Sequence, residues 1–396
     1  MTETSTEAVA LPLLRDPARP FDPPPELAGL RADRPLTRMR FPDGQLGWLA
    51  TGYEVVRTVL ADPRFSNRYE LLRDPIHDIP GPFPAAPPGD LSGVDAPQHT
   101  RLRRAVASRF TVRRMGLLTG RLRRVCAERL DAMEKHGPAM DLVSAYAQPV
   151  PALMICDILG VPYADHEFFE RQAAAMMVDA ESIEEIGVAW DRLADYIAGL
   201  VTAKRAAPTD DVLGDLTGSD LTDEELAGLG TFLLAAGFET TRNMIALGVM
   251  VLLDRPDQLA ILRADPDLWD SAVEELLRYL SVAHTNARAA LEDIELAGQL
   301  IRAGETVVLA LGAANRDPRR FDDPDVVDVR RRAIGQVAFG HGAHLCLGHP
   351  LARAELRVAL PALFDRFPDL ALAIEPERVR PSGGNIYGVR RLPVTW

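Results

Sequence analysis

Phe339-Gly-His-Gly-Ala-His-Leu-Cys-Leu-Gly-His-Pro350 sets a lone cysteine, Cys346, in a glycine-rich loop directly before a helical pattern. The free amides and partial positive charge of a helix N-terminus favour thiolate over thiol, so this position is expected to lower the thiol pKa. Pro350 suits the first helical turn, where its missing N–H costs nothing. The glycines let a flat group lie close to the backbone.

Three readings of these residues are open. Cys346 can be a small buried residue that only packs. Together with His341, His344 and His349 it offers zinc-ligand types, although the spacing is tighter than the usual paired-ligand pattern. It can also be the single thiolate on a haem iron; no Cys-x-x-Cys-His occurs, so such a haem would be held without thioether links.

Outward from the loop, the pattern predicts a helix from about Pro350 to Phe367, then a tail hairpin, Val379 to Trp396, around Gly383-Gly384. Upstream, short β-branched segments near Ile294, Val307 and Val326, with Gly298 and Gly304 as turn residues, predict a small mixed sheet. A helix is expected from Leu268 to Leu280. Between His99 and Leu253 apolar residues recur at three and four spacing, interrupted near Gly137-Pro138, Gly160-Val161-Pro162 and Ala207-Pro208, which predicts a series of helices. The last opens on a capping box, Thr222-Asp-Glu-Glu225, and runs to Leu253, about 48 Å at 1.5 Å per residue. Near the N-terminus Leu36–Phe41 and Leu46–Ala50 flank a Pro-Asp-Gly turn and read as a hairpin, followed by a helix from Tyr53 to Leu60. The Pro-, Gly- and Asp-rich stretch from Asp74 to Gly93 is long for a connection and reads as a lid.

The chain has 396 residues, 47% hydrophobic and 26% charged, which excludes wholesale disorder and fibrous designs. A length prior would divide it, but the pattern reads as one large helical body over residues 1–396. A net charge of -13 disfavours nucleic acid and anionic membrane as partners. Of three cysteines, Cys126 and Cys156 lie in apolar helical runs, so no disulfide framework is implied, which suits a reducing cytoplasm. The N-terminus lacks signal-peptide character, and the apolar run Met244–Leu253 is too short to span a bilayer.

Phe339, Gly342, Cys346 and Gly348 match Phe-x-x-Gly-x-x-x-Cys-x-Gly, and the loop resembles the haem-binding signature of the cytochrome P450 family. The resemblance extends through the chain in the family's order. Ala236-Gly-Phe-Glu-Thr-Thr241 in the long helix resembles the family's Ala/Gly-Gly-x-Asp/Glu-Thr element. By itself that run has another consequence, since a glycine and a back-bonding threonine weaken a helix and favour a groove. Glu275-Leu-Leu-Arg278 resembles Glu-x-x-Arg, with Arg331 as a third member, though the family often has Phe where Val327 stands; on spacing alone it is a weak surface pair. His99-Thr-Arg-Leu-Arg103 resembles His-x-x-x-Arg, and Arg288 looks like its partner across the cofactor. Asn315-Arg-Asp-Pro318 agrees with bacterial members.

The implied fold is mainly α with a small β region, a long central helix lying over a buried haem. The implied cofactor is haem b, non-covalent, with Cys346 as axial thiolate and iron ligand. His99, Arg103, Arg288 and His344 would bind its propionates, for which Arg and His are chemically suited. Phe339, Gly340, Gly348 and Ala236 would lie against the ring. Glu239 and Thr240 would deliver protons to bound dioxygen, as O–O cleavage requires. The implied activity is a monooxygenase acting on a bulky small molecule: hydroxylation or epoxidation of a macrolide or other polyketide, a terpenoid or a steroid, with Phe232, Ala235, Ala236, His284 and Asn286 at the substrate. Neither a GxGxxG fingerprint nor a cluster-binding cysteine set is present, so electrons come from outside, from a ferredoxin and ferredoxin reductase. Arg101, Arg104, Arg353 and Arg357 are candidates for attracting that acidic partner. A haem sensor or carrier, which would not need Glu239 and Thr240, and a peroxide-using haem-thiolate enzyme are the rival readings.

Overall fold

Thr222 opens the central helix, Asp223–Asp254, in a computed structural model that describes residues 8–79, 81–175, 183–382 and 386–396. The Thr222 hydroxyl accepts from the Glu225 amide at 3.1 Å, and the Glu225 carboxylate accepts from the Thr222 amide at 3.0 Å. This reciprocal cap satisfies two donors that a helix start otherwise leaves open. From Thr241 to Leu252 every residue is buried, so this half of the helix is enclosed on all sides rather than amphipathic. Helices Pro149–Leu159, Ile183–Ala206, Trp269–Leu280 and His349–Arg366 pack against it, and Thr119–His136 packs on the last of these. Positive φ at Gly137 (96°) and Gly160 (67°) ends two of the helices where the sequence predicts interruptions.

The Leu36–Arg40 and Leu46–Ala50 strands pair antiparallel with Leu36 opposite Ala50, turned by Gly44 at φ 82°. They extend into a five-stranded sheet in the order Leu36–Arg40, Leu46–Ala50, Thr306–Ala310, Thr285–Ala290, Phe65–Ser66. Only the second and third strands of that sheet run parallel. Tyr53–Ala61 follows as a helix, and Ile294–Leu296 pairs with Gln299–Ile301.

Val326 is not in a strand. It is 57% exposed, and its amide closes a turn onto the Asp323 carbonyl at 3.0 Å beside Pro324, which cannot donate to a ladder. The tail divides its strands between two sheets: Pro381–Ser382 pairs with Gly388–Val389, and Pro393–Thr395 joins Met140–Asp141 and Ala371–Leu372. The Gly383-Gly384 turn lies outside the described residues. Cys126 and Cys156 are free and buried. Among the described residues no helix is long and apolar enough to cross a membrane.

Candidate active site

The Cys346 loop is pinned before it reaches the thiol. Gly340 and Gly342 take φ of 72° and 74°, a backbone that L side chains rarely adopt. A Cβ on Gly342 would fall 2.6 Å from the Leu60 carbonyl, so the loop rests directly on the helix Tyr53–Ala61. The Cys346 amide donates to the Phe339 carbonyl at 2.9 Å, and the helix His349–Arg366 begins just beyond, with Pro350 in its first turn. Arg353 lies over the Phe339 ring, 4.6 Å from its centroid.

Cys346 faces a cavity of about 860 Å³ at the heart of the molecule. Its thiol is open on the cavity side but otherwise deep in protein, and burial pushes its pKa up. The Gly348 amide, the Arg103 charge and the His349 amide pull it down without prevailing. This reverses the lowering expected from the helix terminus, because desolvation penalises the whole anion while the terminus contributes only a few donors. A metal cation on the sulfur is the partner that would hold a thiolate here.

Zinc does not fit. Among the described residues no three His, Cys, Asp or Glu side chains are grouped to hold a metal ion. His341 accepts from Arg57 at 3.3 Å, His344 stacks on His99, and His349 contacts Arg353 at 2.7 Å, so the three rings serve different neighbours.

Haem does fit. Arg103, Arg288 and His344 line the cavity, brought from the helix Gln98–Ala107, the strand Thr285–Ala290 and the cysteine loop, and His99 lies buried behind His344. The His99 and His344 rings stack at 3.9 Å, and His99 Nε2 is buried without a hydrogen-bond partner among the described residues. Burial, followed by the charges of His99, Arg288 and Arg103, drives the His344 pKa down to about 3. Burial likewise lowers Arg288 to about 10, with partial relief from Asp95. Asp95 is itself engaged by the Ser66 hydroxyl at 2.5 Å and the Asn67 amide at 3.0 Å. Arg103 donates to the Leu345 carbonyl at 2.6 Å, beside the thiol. A buried and a half-buried arginine beside two histidines held neutral, one with an orphaned ring nitrogen, make a site short of anions, which the two carboxylates of a haem would supply.

On the opposite wall, the Thr240 hydroxyl donates back to the Ala236 carbonyl at 3.0 Å. The helix continues unbroken through this point, and Ala236, Glu239 and Thr240 line the cavity. Burial raises the Glu239 carboxyl pKa, opposed by Arg242. Phe238 points away and packs on Ala152.

Glu275 and Arg278 are fully buried rather than a surface pair, joined at 2.7 and 2.8 Å. Arg278 also donates to the Asn315 and Pro324 carbonyls, both at 2.8 Å, and Arg331 reaches Glu275 at 3.1 Å. Asn315 accepts from the Val337 amide at 2.8 Å, so the network ties the helix Trp269–Leu280 to the chain entering the cysteine loop.

Phe232, Ala235 and Asn286 line the cavity, as do Asp74, Pro75, Phe83, Pro84, Leu91 and Ser92 of the Asp74–Gly93 stretch read as a lid. His284 does not, although Ala283 and Thr285 on either side of it do. Its Cβ lies toward Gly312, 3.9 Å from where a Cβ there would stand, and its carbonyl accepts from the Gly312 amide. Sequence reasoning missed Asn67, Tyr69, Trp190 and Ile386, which come from distant segments, and Thr241, which sits next to the motif residue Thr240.

A cysteine loop under a large cavity, a cationic rim and an acid–alcohol pair on the facing helix define a haem-thiolate oxygenase. The cytochrome P450 family model matches residues 183–373. The chain is 48% identical over 380 residues to cytochrome P450 105C1 of a Streptomyces species, covering 95% of this chain and 96% of that protein. It is 44% identical over 406 residues to pentalenic acid synthase of Streptomyces avermitilis, covering 100% of both. The crystal structure of CYP105P1 in complex with filipin I matches with a TM-score of 0.91 at 41% identity, over 98% of this chain and 99% of that one. The chain belongs to the cytochrome P450 family and is a monooxygenase of the haem-thiolate type.

Proposed function

We propose that this enzyme hydroxylates or epoxidises a bulky, partly polar natural product, a polyketide, terpenoid or steroid, using haem b and electrons from a ferredoxin and its reductase. The observation that carries the reading is the cavity of about 860 Å³ that joins Cys346 to Thr240 and Glu239 and extends to Phe232, Asn286, Pro75, Phe83 and Leu91. A largely apolar cavity with a few polar groups suits an amphipathic ligand of this size. The relative named for pentalenic acid and the structure holding filipin I agree with a natural-product substrate.

In this reading Cys346 ligates the iron, and His99, Arg103, Arg288 and His344 neutralise the haem carboxylates. Phe339, Gly340, Gly348 and Ala236 border the ring. Bound there, a thiolate-ligated haem supplies dioxygen activation. The chain's own part is to orient the substrate with Phe232, Ala235 and Asn286, to exclude water, and to pass protons from the Glu239 carboxyl toward the Thr240 hydroxyl. Arg101, Arg353 and Arg357 are bound to Glu225, Glu274 and Asp270. Among the described residues that leaves Arg104, of the four proposed for redox docking, without an ion pair, so electrostatic steering of the ferredoxin is weak in this reading.

The test is turnover of a substrate found by spectral titration against a natural-product panel, with ferredoxin and reductase supplied. Thr240→Ala is expected to keep its haem yet lower product formed per dioxygen consumed by about 10-fold or more. An unchanged yield would contradict proton delivery through Thr240, and haem binding with no product from any bound compound would favour a sensor or carrier.

A further inference from the structure

Arg242 lies three residues beyond Glu239 on the central helix, on neighbouring positions of one face, and is 2% exposed. Its Nε and Nη2 are buried with no hydrogen-bond partner among the described residues, whereas buried guanidinium donors are ordinarily satisfied. Two carboxylates act on it, Glu239 in the cavity wall and Asp141 at the end of the strand Met140–Asp141. Asp141 is already engaged, accepting from the Leu392 amide at 2.7 Å, the Ser144 hydroxyl at 3.1 Å and the Val143 amide at 3.2 Å. Glu239 has Arg242 as the one charged group acting on it among the described residues. Glu355, on the packed helix His349–Arg366, faces Thr241 instead.

An acid that gives up a proton inside a buried wall must exist for a time as an anion. Without a nearby cation, burial would lock it in the protonated form. We infer that Arg242 is a positioning residue for proton delivery, its unpaired donors stabilising the Glu239 carboxylate after it releases its proton, while the Asp141 charge acts on the guanidinium without pairing with it. The proton leaves toward the Thr240 side of the cavity and is replaced from water, and Arg242 remains charged throughout. The inference rests on the reading of Glu239 as the proton donor.

The carboxyl can be titrated directly by infrared difference spectroscopy on the haem-loaded enzyme, the Glu239 band being the one lost in Glu239→Gln. Arg242→Gln is expected to move the midpoint up by about one pH unit and Arg242→Lys to restore it, while Asp141→Asn, which removes the other carboxylate acting on Arg242, moves it down. Arg242→Gln should also lower product formed per dioxygen consumed, and should add nothing in the Glu239→Gln background. An unchanged midpoint in folded Arg242→Gln would overturn the inference, as would an unchanged midpoint in Asp141→Asn if the former does not fold. A fully active and coupled Glu239→Gln would instead sink the reading of Glu239 on which it rests, and the band would still report whether Arg242 acts on that carboxyl.

Discussion

The two walls of the cavity treat buried charge in opposite ways. Behind the cysteine loop, Arg278 spends its guanidinium on both Glu275 oxygens and on the Asn315 and Pro324 carbonyls, with both side chains fully buried. Around the central helix, Arg242, both amide atoms of Asn243 and Glu355 Oε2 are buried without partners among the described residues. A satisfied network holds one geometry, which suits a wall that must present a metal ligand. Unsatisfied groups cost stability, and these lie one layer behind the cavity-lining Glu239, Thr240 and Thr241, where a change in protonation can be felt.

The largest effect should come from breaking the satisfied wall. Arg278→Ala leaves the buried Glu275 with Arg331 alone in place of its bidentate partner, and should cost about 3–5 kcal/mol in denaturant unfolding, with loss of haem retention. Arg278→Lys should recover little, since an ammonium cannot reproduce the bidentate contact. A loss under about 1 kcal/mol would erase the contrast between the walls.

Glu355 sharpens the other side. Its pKa rises from 4.5 to about 8, because burial outweighs its bond to Thr241. Between those values the unfolded chain releases this proton while the folded one keeps it, so the Glu355 contribution to stability falls as pH rises. Glu355→Gln removes that loss, and its advantage over the parent should grow from pH 4.5 to about 8 by up to about 1.4 kcal/mol per pH unit. Thermal unfolding across pH checks this, and a constant gap would contradict it.

The smallest effect lies on the cationic rim between the walls. Arg288→Ala should weaken haem retention by roughly 1.5–3 kcal/mol, the worth of a charge-assisted bond, as read by haem transfer to an acceptor protein. Unchanged retention would remove Arg288 from the haem site.

Much of the molecule could be read in the chain because local chemistry dictated it. The Thr222–Glu225 cap, the Pro-Asp-Gly hairpin and the glycines of the cysteine loop each need only near neighbours. What escaped depends on burial, which a helical spacing does not reveal. Glu275 and Arg278 read as a surface pair and lie in the core. Glu355 and Arg242 stand in helical patterns that carry no sign of burial, and both are buried. The strand Thr285–Ala290, Thr-Asn-Ala-Arg-Ala-Ala, lacks the β-branched signature and forms because strands on both sides pair with it. His284 stands in the chain between two cavity residues, but its Cβ lies toward Gly312, and the thiol pKa rises where the sequence predicts a fall because a helix terminus is visible in a sequence while desolvation is not.

The most direct test is the absorption spectrum of the reduced, carbon monoxide-treated protein beside Cys346→Ser. A strongly red-shifted Soret band in the parent, lost in the variant while the fold persists, is the expected result. A folded, haem-supplemented protein that binds no haem, or a red-shifted band that survives in Cys346→Ser, would contradict Cys346 as the thiolate ligand.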